Sequence, residues 1–361
     1  MMKAIKSKSE QALPIVIVYL GKHIPNYVFK SIESLIEINK VSKLFLVVDR
    51  GMKRQLKSKS HPSCTIWEYD SSDSLSDEEL GKYHDLEFRN GYWKHTILRI
   101  VALLDFQITN GVEQVLHLEA DMILMKKFPF EKVAIQSRII WGYYNERRDV
   151  GALVFVPSLS MARWLRKELI NTWKKSPSST DMEILKSIAT SHPNRISYWP
   201  SGLSIAVNSF TRLSQPSIEK MQSREVELSG IFDVAPFGMW LCGMDPSNNY
   251  GLQRNFTKIF IESGDSIVDP SHVSYVFGSD ASISIRSSNK TESIFALHNH
   301  SKDTRYFKAS RMESLHKNYR KYIRRGTPYQ TFSPKVFQIL VFRKFHRIIK
   351  NSLKRKAKKH D

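Results

Sequence analysis

The sequence predicts an α/β fold, in which a mixed, mostly parallel sheet is flanked by helices and a basic helical extension follows at the C-terminus. In the first half of the chain, short β-rich runs alternate with segments of helical spacing. These runs are continuously apolar, which is typical of strands covered on both faces of a sheet. Residues 302–361 contain 19 Lys and Arg and only three acidic residues. This segment therefore carries a net charge of +16, out of the chain's formal net charge of +20.

The N-terminal region predicts a βαβ unit and a third strand. "PIVIVYL" is the first strand, "PNYVFKSIESLIEINK" is an amphipathic helix, and "KLFLVV" is a strand ending at Asp49. "CTIWEYD" predicts the next strand, and Ser76 is expected to cap a helix after it.

The middle of the chain continues this alternation. "GYWKHTILRIVALLDFQI" predicts a helix that leads into the strand of "VLHLEADMIL" at 115–124. "RIIWGYY" and "GALVFVPS" predict strands, and two helices follow, the second with Thr180 or Asp181 at its N-cap. Residues 201–300 are richer in Gly, Pro, Asn and Ser, so we expect loops that surround a site.

The composition excludes several protein classes. The N-terminus does not have the pattern of a signal peptide, and no segment reaches the roughly 18 consecutive apolar residues of a membrane span. Because Cys64 and Cys242 are far apart in the sequence, we expect neither a disulfide framework nor a zinc site. We therefore expect a cytoplasmic protein.

Two carboxylates, Glu119 and Asp121, stand at the carboxyl end of a predicted central strand. Open α/β sheets bind ligands at this edge, and residues two apart on a strand point the same way. Such oxygen ligands suit Mn²⁺ or Mg²⁺, whose coordination shell the oxygens of a diphosphate complete. In isolation, an acid pair of this kind is more often a loop cap or a surface charge.

A second polar group occurs in "ALHNHSKDTRYF". His298 and His300 alternate on what is predicted to be another strand, and Lys302 continues the same face. A neutral imidazole can complete a Mn²⁺ shell, and a lysine can neutralise a diphosphate leaving group.

These motifs together resemble those of nucleotide-sugar glycosyltransferases of the GT-A type, in which a D-x-D or E-x-D signature binds the metal that holds the donor diphosphate. The chain is more closely similar to microbial proteins of that type with H-x-E-x-D, FD…G-x-D-P-x-N and L-H-x-H-S-K boxes. Here the boxes read "LHLEADMIL", "IFDVAPFGMWLCGMDPSNN" and "LHNHSK", and the resemblance spans about residues 14–307. It implies a GT-A, Rossmann-like fold.

The resemblance also implies roles for individual residues. Asp121 would be the main metal ligand and Glu119 would contact the metal or the ribose, with His300 as third ligand and His298 as the second candidate for it. Lys302 would contact the diphosphate. Arg99 would contact phosphate or ribose, or be a solvated helix residue.

Three further acids are candidate catalytic residues. Asp233 and Asp245 are expected to touch the sugar or the acceptor, although either is equally a turn former. Asp181 is the third candidate for a catalytic base, which an inverting enzyme needs and a retaining one does not. The chain departs from the family pattern at Thr180, where Asn is usual.

The implied activity is transfer of a sugar from a nucleotide-diphosphate donor, expected to be a UDP-sugar, to a glycan or lipid-linked acceptor, as in cell-surface polysaccharide or glycoconjugate synthesis. The catalytic domain would span 1–308, with a nucleotide-binding half at about 12–130 and an acceptor half at about 131–308. The alternatives are a nucleotidyltransferase on a similar fold, or a catalytically inactive protein that binds nucleic acid or membrane.

The extension, 309–361, ends in a predicted amphipathic helix. Residues 335–361 carry ten Lys and Arg, and Phe337, Val341, Phe345 and Ile349 lie on one face. Such a helix suits the anionic inner face of a membrane, whereas a nucleic-acid arm has no use for the apolar face, so we expect peripheral membrane association and no nucleic acid. The alternative is that this face packs onto the catalytic domain.

Overall fold

The structure, a computed structural model, describes residues 13–21, 23–56, 60–70, 92–202, 215–243, 270, 273–280, 282–286 and 290–325. It confirms the predicted mixed α/β fold with a mostly parallel main sheet flanked by helices. Ser76, Asp245 and the segment 335–361 lie outside the described residues.

The main sheet has seven strands in the order β3-β2-β1-β4-β7-β6-β8. Strands β3, β2, β1 and β4 lie side by side in that order, and each is parallel to the next. β7 is antiparallel to both β4 and β6, and β6 is parallel to β8. The strands are β1 (Ile15–Tyr19), β2 (Leu44–Asp49), β3 (Cys64–Tyr69), β4 (Val115–Leu118), β6 (Ile139–Asn145), β7 (Arg148–Val156) and β8 (Ile196–Tyr198).

Helices cover both faces of this sheet. Alternate residues of β1 accordingly belong to two different hydrophobic cores. Val16 and Val18 belong to the core formed with α3, α5 and α6, whereas Ile15 and Ile17 pack with α1. The helices are α1 (Asn26–Glu37), α2 (Lys53–Leu56), α3 (Tyr92–Thr109), α4 (Phe130–Ala134), α5 (Leu159–Lys175), α6 (Asp181–Ser191), α7 (Gln215–Gln222), α8 (Pro236–Cys242) and α9 (Arg311–Arg325), with a 3₁₀ helix at Thr304–Phe307. None of the helices in the described part of the chain is both long enough and apolar enough to span a membrane.

Four of the five strands of a second sheet lie in residues 201–300, which the composition predicted to be rich in loops. Its strands run in the order β10-β11-β12-β5, and β9 pairs with β12. They are β5 (Met122–Leu124), β9 (Ile231–Phe232), β10 (Ser274–Phe277), β11 (Ile283–Arg286) and β12 (Thr291–His298).

The prediction of a single strand at 115–124 is wrong, because this segment forms two strands that belong to different sheets. β4 ends at Leu118 in the main sheet and β5 begins at Met122 in the second. Between them the backbone turns, with the Met122 N–H donating to the Glu119 carbonyl oxygen at 2.9 Å. Glu119 and Asp121 therefore converge through a turn and not through strand alternation.

Candidate metal centre

The turn that carries Glu119 and Asp121 lies where ligands bind in open α/β sheets. After β1 the chain adds β2 and β3 on one side and then β4 on the other, so the strand order reverses between β1 and β4. The crevice beyond the carboxyl ends of two such strands is the usual ligand position.

The second sheet brings a histidine to this turn. β12 runs antiparallel to β5, with His298 opposite Met122. The backbone N–H of Asn299 donates to the Asp121 carbonyl oxygen at 2.8 Å, which closes the junction between the two sheets. The site is thus assembled from the end of β4, the start of β5 and the end of β12.

Glu119, Asp121 and His298 form a group that fits a divalent cation. One ligand atom from each lies within 4.8 Å of the others, and His298 Nε2 lies 3.4 Å from an oxygen of each carboxylate. Nδ1 of His298 lies 2.9 Å from the Val234 carbonyl oxygen. Because a carbonyl oxygen only accepts, Nδ1 carries the hydrogen and donates the hydrogen bond. A metal-binding histidine is commonly oriented by such a bond, which directs Nε2 to the cation.

The electrostatics of the group favour positive charge between the carboxylates. Burial alone would lower the pKa of His298, but the carboxylates of Asp121 and Glu119 raise it well above its usual range. Burial would likewise raise the pKa of Asp121, but His298 and Lys302 hold it well below its usual range. The buried carboxylate of Asp121, the partly buried carboxylate of Glu119 and an imidazole are donors that Mn²⁺ accepts.

Of the two candidate histidines, the geometry favours His298, the second candidate from the sequence, over His300. His298, and not His300, contributes the third ligand atom of the group. β12 ends at His298 and the chain turns, so the alternation expected from the sequence does not reach His300. The ring of His300 lies over that of His298 with the centroids 3.9 Å apart, and its buried Nε2 has no hydrogen-bond partner among the described residues.

Lys302 reaches the group from a strained turn. Its φ of 55° is in the left-handed region that non-glycine residues rarely adopt. The turn is braced by Asn299, whose Nδ2 donates to the Asp303 carbonyl oxygen at 3.0 Å and whose Oδ1 accepts from Ser301 Oγ at 2.9 Å. Lys302 Nζ thereby lies 3.3 Å from Asp121 Oδ2. Backbone strain of this kind often accompanies function.

Asp233 supports His298 and is itself enclosed. It is only 2% exposed; Oδ1 accepts from the N–H groups of Ala235 and Phe237, and Oδ2 from those of Gly238 and His298, at 2.7 to 3.1 Å. A Cβ atom at Gly238 would overlap the His298 carbonyl oxygen, so only glycine permits this approach. Asp233 therefore joins the start of α8 to the end of β12.

Arg99 joins two carboxylates at the inner end of the site. Its Nη2 lies 2.6 Å from Glu119 and 3.8 Å from Asp181, and its side chain is only 15% exposed, unlike that of a solvated helix residue. The N-cap is Thr180, which forms a capping box with Glu183 and places Asp181 in the first turn of α6. Burial raises the pKa of Asp181.

His117, the first residue of the H-x-E-x-D box, has a structural role. It is fully buried on β4, and its Nδ1 lies 2.9 Å from the Val16 carbonyl oxygen on the neighbouring β1. Burial lowers its pKa to about 3, so the ring is neutral. His117 thus links the two strands that border the crevice.

A cavity of about 220 Å³ opens beside the candidate metal group. Sequence reasoning missed several of its walls, because aromatic residues at a strand end or helix start carry no specific signal. Lys302 Nζ lies 5.9 Å from the ring centroid of Tyr27, one of these walls. The lining residues are Val18, Tyr19, Leu20, Tyr27, His95, Thr96, Arg99, Glu119, Ala120, Asp121 and Lys302.

Comparisons with known proteins do not identify a family. No family model and no curated protein matches the chain. Mouse xyloside xylosyltransferase 1 in its apo form is similar over 52% of this chain and 85% of its own, with 12% identity and a TM-score of 0.37. Apo GlyE, a glycosyltransferase of Streptococcus pneumoniae, is similar over 53% and 46%, with 11% identity and a TM-score of 0.35. A cytidylyltransferase of Leptospira borgpetersenii is similar over 53% and 76%, with 10% identity and a TM-score of 0.34. At these values the likeness assigns neither a family nor an activity to the chain.

Proposed function

We propose that the protein is a metal-dependent glycosyltransferase that moves a sugar from a nucleotide-diphosphate donor to a glycan or lipid-linked acceptor. The observation that carries this proposal is the meeting of Glu119, Asp121, His298 and Lys302 beside a cavity at the carboxyl ends of β1 and β4. Carboxylates with an imidazole suit a divalent cation, and the adjacent ammonium group suits an anionic diphosphate.

The chain's own residues prepare the site for departure of a diphosphate. A bound Mn²⁺ or Mg²⁺ would supply Lewis-acid stabilisation of the negative charge that develops on the leaving group. Lys302 adds a fixed positive charge beside Asp121, where it can pair with a phosphate oxygen. Val234 fixes the imidazole of His298, and Arg99 fixes the carboxylate of Glu119.

The cavity walls suit the nucleoside. Tyr19 and Tyr27 give one wall aromatic character, and aromatic side chains stack on nucleobases. Nothing in these walls selects uracil, so a UDP-sugar stays a prediction from the resemblance.

Among the acids suggested by the sequence, Asp181 is our candidate for the group nearest the reacting sugar. It lies beside Arg99 and Glu119, and its Oδ1 has no hydrogen-bond partner among the described residues. Each oxygen of Asp233 already accepts two backbone hydrogen bonds, so we propose that Asp233 positions His298 and does not act as a base.

The activity is tested by incubating purified protein with a panel of nucleotide sugars, with and without Mn²⁺, and measuring release of nucleoside diphosphate. We expect Mn²⁺-dependent release that Asp121→Asn abolishes. The control variant Asp105→Asn, which removes a carboxylate paired with Arg166 elsewhere on α3, should keep it. Release of pyrophosphate from nucleoside triphosphates would instead favour the nucleotidyltransferase alternative.

We also propose that residues 335–361 hold the enzyme on the inner face of an anionic membrane, near a lipid-linked acceptor. The support is their sequence: ten basic residues and an apolar face, each basic residue contributing about 1 kcal/mol near an anionic surface. Truncation after Pro334 should release the protein from anionic liposomes and leave donor hydrolysis intact. Unfolding of the truncated protein would favour packing onto the domain, and a loss of RNA or DNA binding without any liposome binding would favour a nucleic-acid arm.

A further inference from the structure

Helix α9 packs against the catalytic domain along its first turns. Leu315 is fully buried, and Arg311, 1% exposed, donates from Nη1 to Ser34 Oγ on α1 at 3.3 Å. The ring of Tyr319 lies 5.1 Å from that of Tyr275 on β10. The beginning of the predicted extension is therefore in contact with the fold that carries the site.

Asn318 is a buried polar residue on the packed face of α9. It is 5% exposed, and its Nδ2 donates to the Leu241 carbonyl oxygen at 3.2 Å and contacts the hydroxyl of Tyr306. A buried amide is costly unless it is hydrogen-bonded, and these bonds fix the direction of the group as apolar contacts do not. Asn318 therefore joins α9 to two separate segments at once.

The first of these segments supports His298. Leu241 belongs to the last turn of α8, and the first turn of α8 is fixed by Asp233. The same carboxylate accepts the backbone N–H of His298 at 3.0 Å. A shift of α8 is thus transmitted directly to the end of β12.

The second segment supports Lys302. Tyr306 lies in the 3₁₀ helix whose N-cap is Asp303, and Asp303 directly follows Lys302. The left-handed backbone of Lys302 is costly and persists only where its surroundings hold it. A fixed 3₁₀ helix provides one such restraint.

We propose that Asn318 is a positioning residue of the metal and diphosphate site, acting through Leu241 on His298 and through Tyr306 on Lys302. This inference rests on the proposed function. It assigns to α9 a role in donor binding that its distance along the chain from the E-x-D motif conceals.

The test compares Asn318→Leu with Tyr319→Phe, a matched control on the same helix. Leucine keeps the branched shape and the four side-chain heavy atoms of Asn318 but removes its hydrogen bonds. Tyr319→Phe removes the hydroxyl that accepts from the Tyr275 N–H at 3.4 Å, a contact with β10 and not with the supports of the site. Electron paramagnetic resonance measures Mn²⁺ affinity. Calorimetry measures the affinity in Mn²⁺ for UDP, or for the nucleoside diphosphate that the wild type binds in its place. Both are measured under conditions where all three proteins are folded, and urea unfolding separately measures their stability.

We expect Asn318→Leu to weaken Mn²⁺-dependent UDP binding about tenfold, the lower end of what loss of an orienting contact costs a metal site. Tyr319→Phe should stay within about twofold of the wild type. If Asn318→Leu lowers stability and leaves both affinities unchanged, the role is only structural and the inference is overturned.

If Asn318→Leu does not fold, Asn318→Ser is judged by the same criterion: weaker binding by the folded variant supports the inference, and unchanged binding overturns it. A wild type that binds neither Mn²⁺ nor any of UDP, GDP, ADP, CDP and TDP would overturn the proposed function itself, and this inference with it. Failure of the inference alone leaves wild-type binding intact.

Discussion

Nε2 of His298 lies 3.4 Å from a carboxylate oxygen of Asp121, across the junction between the two sheets. The antiparallel pairing of β12 with β5 sets this distance, because it aligns His298 with Met122, the residue after Asp121. The group formed by Glu119, Asp121 and His298 therefore exists only when the second sheet is docked on the first. Long-range pairing, and not the E-x-D motif alone, creates the site.

The two histidines should differ in their effect on the metal. His298→Gln should weaken Mn²⁺ affinity by about 10- to 100-fold, because it removes a ligand atom, whereas His300→Gln should weaken it by less than about tenfold, because His300 only packs on the ligand. Mn²⁺ titration followed by electron paramagnetic resonance measures both. A larger loss in His300→Gln would make His300 the ligand, as the sequence first suggested.

Lys302 gives a test that separates backbone strain from charge. Lys302→Gly should be more stable than Lys302→Ala by about 1 kcal/mol, the reverse of the usual order, because its φ of 55° disfavours any residue with a Cβ. Both variants should lose affinity for UDP, because both lack the ammonium group. Urea unfolding and calorimetric titration measure the two effects, and equal stability of the variants would contradict the strained backbone.

The elements predicted correctly are those whose signal is local. The apolar runs of β1 to β4 and the long periodicity of α3 contain their own evidence, and Thr180 with Glu183 marks the start of α6. Of the second sheet, only a strand around His298 was expected. β5 and β9 were missed because they are short and pair with β12, which is distant in the chain.

The site was predicted in its members more than in its geometry. Glu119, Asp121 and Lys302 meet as expected, but the histidine ligand depended on where β12 ends, which periodicity does not specify. Tyr27 was missed because an aromatic residue near a helix start is more often part of a core.

The partly buried Glu225 predicts a pH dependence of stability. Its Oε1 accepts from the N–H and hydroxyl of Ser201 at 2.9 and 3.1 Å, and burial raises its pKa from 4.5 to about 7. The folded state binds this proton more tightly than the unfolded state does. The protonated carboxyl group therefore stabilises the fold below about pH 4.5, and this contribution is lost as the pH rises through about 7.

Glu225→Gln keeps the acceptor oxygen and removes the charge. The free energy of unfolding of the wild type, relative to this variant, should therefore fall by about 3 kcal/mol between these pH values. Urea unfolding across the pH range measures the difference. The exposed Glu227→Gln serves as the control and should follow the wild type; a Glu225→Gln profile parallel to the wild type would refute the burial of this carboxyl group.

Calorimetric titration of nucleoside diphosphates into the wild type and Asp121→Asn, with and without Mn²⁺, tests the central claim most directly. Asparagine keeps the shape of the side chain and leaves the Asp121 carbonyl contact with Asn299 in place, so the fold should persist. We predict that the wild type binds at least one of UDP, GDP, ADP, CDP and TDP only when Mn²⁺ is present, and that Asp121→Asn binds none of them. A folded wild type that binds none in Mn²⁺, or an Asp121→Asn variant that binds as tightly as the wild type, would contradict a metal-dependent nucleotide-sugar site at Asp121.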